Sequence, residues 1–166
     1  MSIEPLVDNL NKLNKAHLTL FELSEQKTQA IIHNQINDLN LIVSKENKLL
    51  TQISELDTGR IQLMSEYLLA RGYYPNPQIT VTQLVKVMFK AEDKLALQSA
   101  QALLSETLHR LRELNVRNKQ LIEDALAYID LSIDLFLGRS ADEPFYGKPA
   151  ENLRNRSGLN IFDTRA

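Results

Sequence analysis

Few residues in this chain are able to do chemistry. There are three histidines, His17, His33 and His109, and no cysteine. Only Glu106-Thr107-Leu108-His109 sets a carboxylate and an imidazole three residues apart, on one face of a helix. A di-iron bundle takes two such pairs and two further glutamates. Asn14 stands three residues before His17 and Ala30 three before His33, so the pair does not recur. His109 therefore reads as a surface or seam histidine. Carboxylate spacings such as Glu22/Glu25 and Asp130/Asp134 belong to ordinary charged helix faces. The five glycines are too scattered to cradle a phosphate, and no Gly-x-Ser-x-Gly elbow occurs. The missing cysteine removes a disulfide framework, a thiolate metal site and a cysteine nucleophile. No catalytic residue, metal ligand set or cofactor is predicted, and an enzyme is the last of the available readings.

The elements that carry these residues are helices. Between Leu6 and Arg71 the only breaker is Gly59; Gly72-Tyr73-Tyr74-Pro75-Asn76-Pro77 is then a dense turn signal, and Gln78 to Leu137 holds neither glycine nor proline. So few turn residues argue against a sandwich or barrel. In the first stretch Leu10, Leu13, Leu20, Ile31, Leu39, Val43, Leu50, Ile53 and Met64 recur at helical spacing, interrupted by His17, Ser24, Thr28 and Glu46. Asn34 to Asp38 is a break, either a reversal or a kink. There Asn34 suits a left-handed cap and Asn37 the start of the next helix. Thr80-Val81-Thr82-Gln83 spells a capping box, with Ile79 and Leu84 as its hydrophobic staple. The helix so begun presents Leu84, Val87, Met88 and Ala91, and its boundary with the following long helix is expected at Glu92-Asp93.

The long helix repeats with a period of 3.5. Leu97, Gln101, Leu104, Leu108, Leu111, Asn115, Asn118, Ile122, Ala125, Ile129, Ser132 and Phe136 are spaced alternately four and three apart, as a helix–helix seam requires. The predicted fold is all-α: an elongated antiparallel bundle of coiled-coil-like helices over residues 1–137, with a flexible tail over 138–166. The seam is leucine-rich at first and then admits Asn115, Asn118, Ala125 and Ser132. Buried asparagines in a seam fix register; alternatively, this end is left uncovered as a groove for a partner helix. The tail carries two apolar islands, Phe145-Tyr146 and Leu159-Asn160-Ile161-Phe162. They serve either to dock on the bundle or as short partner motifs.

Charge and composition narrow the partners. Lys+Arg number 19 against 21 Asp+Glu, for a net charge of -2. That balance provides no footprint for nucleic acid. No stretch approaches the ~18 apolar residues of a membrane span. The start Met1-Ser2-Ile3-Glu4-Pro5 lacks a signal-peptide pattern, so the expected address is the cytoplasm, without membrane insertion.

Several segments together resemble one family. Leu39, Lys45-Glu46, Leu49-Leu50 and Arg60 look like its second-helix pattern. Asn115-Val116-Arg117-Asn118-Lys119-Gln120-Leu121, followed by Asp124-Ala125-Leu126-Ala127-Tyr128-Ile129, looks like the signature of its long helix. Phe145-Tyr146-Gly147 matches the Tyr-Gly beyond that helix, and Leu159-Asn160-Ile161-Phe162-Asp163-Thr164-Arg165-Ala166 is similar to the ending of Gram-positive members. The chain thus resembles the FlgN family of flagellar export chaperones across most of its length. It departs from the pattern at Lys148-Pro149-Ala150, where a second glycine is often found.

The resemblance implies a non-enzymatic protein. It would bind the hook-filament junction proteins FlgK and FlgL, keep them unassembled and escort them to the type III export gate, FlhA. Carried over by position, the cargo surface includes Asn115, Asn118, Ile122 and Ile129. Leu121 and Ala125 lie on the same stretch, the small Ala125 allowing close helix approach. Export-gate docking falls to Tyr146 with Phe145 and Gly147, and Leu159, Ile161 and Phe162 form a further tail motif. A homo-oligomer is compatible with the seam. The rival readings are a plain coiled-coil adaptor or scaffold, which needs a complete apolar seam, and an axial filament component that is itself exported.

Overall fold

A computed structural model describes residues 2–74 and 78–138. Four helices hold 87% of the described residues, and no strand occurs among them. They are α1 (Glu4–Ile32), α2 (Ile36–Leu69), α3 (Val81–Val87) and α4 (Ala91–Phe136). Two compact units, Met1–Asp124 and Ala125–Ala166, divide the chain within α4. Phe145, Tyr146, Gly147, Leu159, Ile161 and Phe162, expected above to be docking and tail-motif residues, lie outside the described residues.

The break after α1 is a full reversal. Asn34 takes φ 53°, in the left-handed region. The Gln35 N–H donates to Ala30 O at 2.8 Å, and the Asn34 N–H to Ile31 O at 3.1 Å. This pair of bonds is a Schellman motif, which satisfies carbonyls at the helix end. The N-cap of α2 is Gln35 and makes no side-chain cap bond, so Asn37 is inside the helix and does not cap it. The same device ends α2, with Gly72 at φ 79° and bonds from Tyr73 N to Leu68 O and Gly72 N to Leu69 O, both 3.0 Å.

The capping box of α3 forms as the sequence predicts. Gln83 N donates to Thr80 Oγ1 at 3.2 Å, and Thr80 N to Gln83 Oε1 at 2.9 Å. Ile79 packs on the same core as Leu84. The break into α4 comes earlier than Glu92-Asp93, at Met88 to Lys90, because the chain turns extended at Met88 (φ -80°, ψ 152°). Met88 is buried beyond the end of α3, while Ala91 is exposed.

In unit one, α1 and α2 run antiparallel, since Asn9 bonds to Leu56 and Lys27 to Glu46. In contrast α4 runs parallel to α1, since Asn14 bonds to Thr107 and Ser24 to Asn115. The main core joins Leu6, Leu10, Met64, Leu84, Leu97 and their neighbours from all four helices. A second, smaller core of Leu23, Ala30 and Ile42 belongs to α1 and α2 alone. Gly59 has a packing reason: a Cβ there would meet the Asn9 amide at 3.3 Å.

Candidate functional site

The interruptions in the first apolar stripe become a polar knot. Asn118 of α4 is 2% exposed. Its Nδ2 donates to Ser24 O at 2.8 Å, and Thr28 Oγ1 donates to its Oδ1 at 2.6 Å. The Ser24 hydroxyl lies 3.3 Å from Asn115 Oδ1 and 3.5 Å from Glu46 Oε1. Lys27 Nζ donates to both Glu46 oxygens, at 2.7 and 2.8 Å. A buried polar group left unmatched is costly, so this set works only when its members meet. Asn118 is thus spent inside the bundle and does not lie on an open face. Of the two sequence readings, the buried one describes its side chain.

The knot also corrects the seam. Leu97, Leu111 and Asn118 are buried and Leu104 is partly buried, as the 3.5-residue period predicts. The alternate positions differ by one residue: Ala100 and Thr107 are buried and Leu114 and Leu121 half-buried, whereas Leu108, Asn115 and Ile122 are exposed. Thr107 fits inside because its hydroxyl donates to Asn14 Oδ1 at 2.7 Å. The 108/115/122 side faces a groove instead.

That groove has α1 as its floor and α2 and α4 as walls. Two clefts of about 480 Å³ each meet at Leu50. One adjoins Ser24, Glu46, Asn115 and Ile122; the other adjoins Leu10, Leu13, Ile53, Leu104 and Leu108. Leu50, Leu108 and Ile122 stand 49%, 41% and 39% exposed along the walls. Of the predicted cargo residues, Asn115, Asn118 and Ile122 are brought together here, and Leu121 is half-buried nearby on α4. The α2 wall went unforeseen, although Glu46 as a break in an apolar stripe was a signal for it.

Ala125 and Ile129 belong to the second unit and are exposed. Within that unit Leu126, Ile129, Ile133 and Phe136 are exposed apolar residues on the last turns of α4. Such an exposed apolar run is a candidate interaction surface. His109 is exposed and sits 3.3 Å from Glu113 rather than pairing with Glu106. Among the described residues no three His, Cys, Asp or Glu side chains converge. No described helix is long and apolar enough to cross a membrane. The candidate site is made of helix faces.

A family model described as FlgN protein matches residues 1–154. This chain belongs to the FlgN family. A Bacillus subtilis (strain 168) relative, described as "Uncharacterized protein YvyG", is 30% identical over 166 residues, covering all of both chains. No solved structure matches. Membership of the FlgN family supports a role as a flagellar export chaperone that binds flagellar proteins.

Proposed function

We propose that this FlgN-family chain is a cytoplasmic, non-enzymatic chaperone for the hook-filament junction proteins FlgK and FlgL. It holds a helical terminal segment of its cargo on the distal half of α4 and so keeps the cargo unassembled. It then delivers the cargo to the export gate FlhA, with Tyr146 as the docking aromatic and Phe145 and Gly147 beside it. The observation that carries this reading is the uncovered apolar run of α4 from Leu126 to Leu137. Apolar surface buried there by a cargo helix contributes roughly 25 cal/mol per Å², and helix-on-helix docking uses anchors at i, i+3, i+4 and i+7.

The test is Ala125→Arg, studied by calorimetric titration with a C-terminal fragment of FlgK. Ala125 is exposed, so the arginine leaves the melting temperature unchanged while its bulk and charge block a docked helix. Full affinity in this folded variant moves the cargo site away from the distal half of α4.

A further inference from the structure

We propose that the second apolar island of the tail, Leu159-Asn160-Ile161-Phe162, folds back onto the exposed apolar end of α4, led there by Arg154 and Arg156. The contact stands on apolar residues and charges of the second unit. Its consequence, competition with cargo, rests on the chaperone reading above.

The surface to be covered is a stripe with an acidic edge. Leu126, Ile129, Ile133 and Phe136 recur at helical spacing along one face and stand 56%, 48%, 49% and 93% exposed. Asp130 and Asp134 each follow a stripe residue by one position, so they lie together along its side. Neither has an ion-pair partner among the described residues. Lys119 is the last basic residue of α4, and the last turn has none. Two aspartates placed there repel each other and oppose the helix dipole, whose C-terminal end is negative. Cations brought to that edge relieve both penalties.

Charge also chooses between the two islands. Asp142 and Glu143 precede Phe145-Tyr146 and would set acid against acid. Arg154 and Arg156 precede Leu159-Asn160-Ile161-Phe162 and would set cations beside Asp130 and Asp134. Leu159, Ile161 and Phe162 then take the stripe out of water. Tyr146 stays outside this contact, as its proposed gate role needs.

The path is long enough. Gly138 takes φ 64°, in the left-handed region, and its N–H donates to Leu135 O at 3.3 Å. The helix thus ends at the foot of the apolar run. From Leu126 to Leu137 it covers about 17 Å at ~1.5 Å per residue. The chain from Gly138 to Leu159 reaches up to roughly 70 Å at ~3.3 Å per residue. A tether of this kind gives an effective concentration on the order of millimolar, so cargo must displace the island to use the stripe.

The chain has no cysteine, so introduced pairs report the contact directly. Ile133→Cys/Ile161→Cys and Ile133→Cys/Phe145→Cys are treated with oxidised glutathione, and the disulfide within one molecule is timed on non-reducing gels. An undirected tail closes the shorter loop faster. The proposal expects the reverse order, by at least threefold. It also expects Arg154→Glu/Arg156→Glu to slow the Ile161→Cys link at least tenfold, and Asp130→Arg/Asp134→Arg in the same chain to restore it. A faster Phe145→Cys link, a rate indifferent to charge reversal, or a disulfide formed only between molecules overturns the proposal. The C-terminal FlgK fragment keeps the two readings apart, since it should slow the Ile161→Cys link. If the link meets every other expectation and the fragment leaves its rate unchanged, the fold-back contact stands and the cargo site on α4 falls.

Discussion

Tyr67 shows how one buried atom sets a measurable property. The residue is 2% exposed and its hydroxyl has no hydrogen-bond partner among the described residues, while the Arg71 guanidinium lies 4.8 Å from the centre of its ring. Burial pushes the hydroxyl pKa above its ordinary value, partly opposed by Arg71. In the folded protein the proton is therefore held more tightly than in the unfolded chain. Its contribution to stability is complete below the unfolded value of about 10 and is lost as pH rises through the folded value. Tyr67→Phe removes an unmatched polar atom with little change of shape. It should keep or raise stability at neutral pH by up to ~1 kcal/mol and lessen the loss of stability above about pH 10. Urea unfolding of both proteins at neutral and alkaline pH measures the difference. A clear loss of stability in Tyr67→Phe at neutral pH would mean that the hydroxyl has a partner.

At the scale of the elements, the helix ends carry the topology. Both ends of the α2 helix adjoin a residue in the left-handed region, Asn34 before it and Gly72 after it. A Cβ at Gly72 meets nothing within 4 Å, so the cost of adding one is conformational alone. Gly72→Ala should lower stability by about 1 kcal/mol, because an L side chain is disfavoured at positive φ. Asn34→Gly should be neutral or slightly stabilising, since glycine takes that conformation without strain. Chemical denaturation of both variants checks the pair, and equal losses would overturn this account.

The elements were also where the sequence was most legible. Thr80 and Gln83 act within one turn, so their box could be read locally. The gap between α2 and α3 announced itself by glycine and prolines. The register of α4 could not be read that way. Its inner positions include Ala100 and Thr107, which register weakly in an apolar count, and the Thr107 hydroxyl is matched inside by Asn14, far away in sequence, as well as by the Leu103 carbonyl of its own helix. Asn118 likewise looked like a gap in a seam until Ser24 and Thr28 were placed beside it. Polar packing of this kind is a property of pairs, and a single stretch of sequence holds only half of each pair. For the same reason the α4 side of the groove at Asn115 and Ile122 could be placed from α4 alone, while the opposite wall at Leu50 could not.

For the molecule as a whole, the proposed division of labour puts cargo on the helices and gate docking on Tyr146. The two tasks are then separable by mutation. Tyr146→Ala should leave the melting temperature and FlgK-fragment affinity nearly unchanged and weaken binding to FlhA. Paired titrations against the fragment and the gate protein check this. A loss of more than ~1 kcal/mol in stability would instead make Tyr146 a packing residue.

The polar knot also bears on how the first unit breathes. From Leu111 to Asp124 the fully buried residues of α4 are Leu111 and Asn118, and the smaller core of Leu23, Ala30 and Ile42 has no member from α4. Lifting this stretch from α1 would wet a few amides and hydroxyls, groups that water serves well, and little hydrocarbon. Its opening belongs at the cheap end of the local unfolding spectrum, below that of the segments joined in the main core. Hydrogen bonds are directional where apolar contacts are not, so the stretch must reseat in one register.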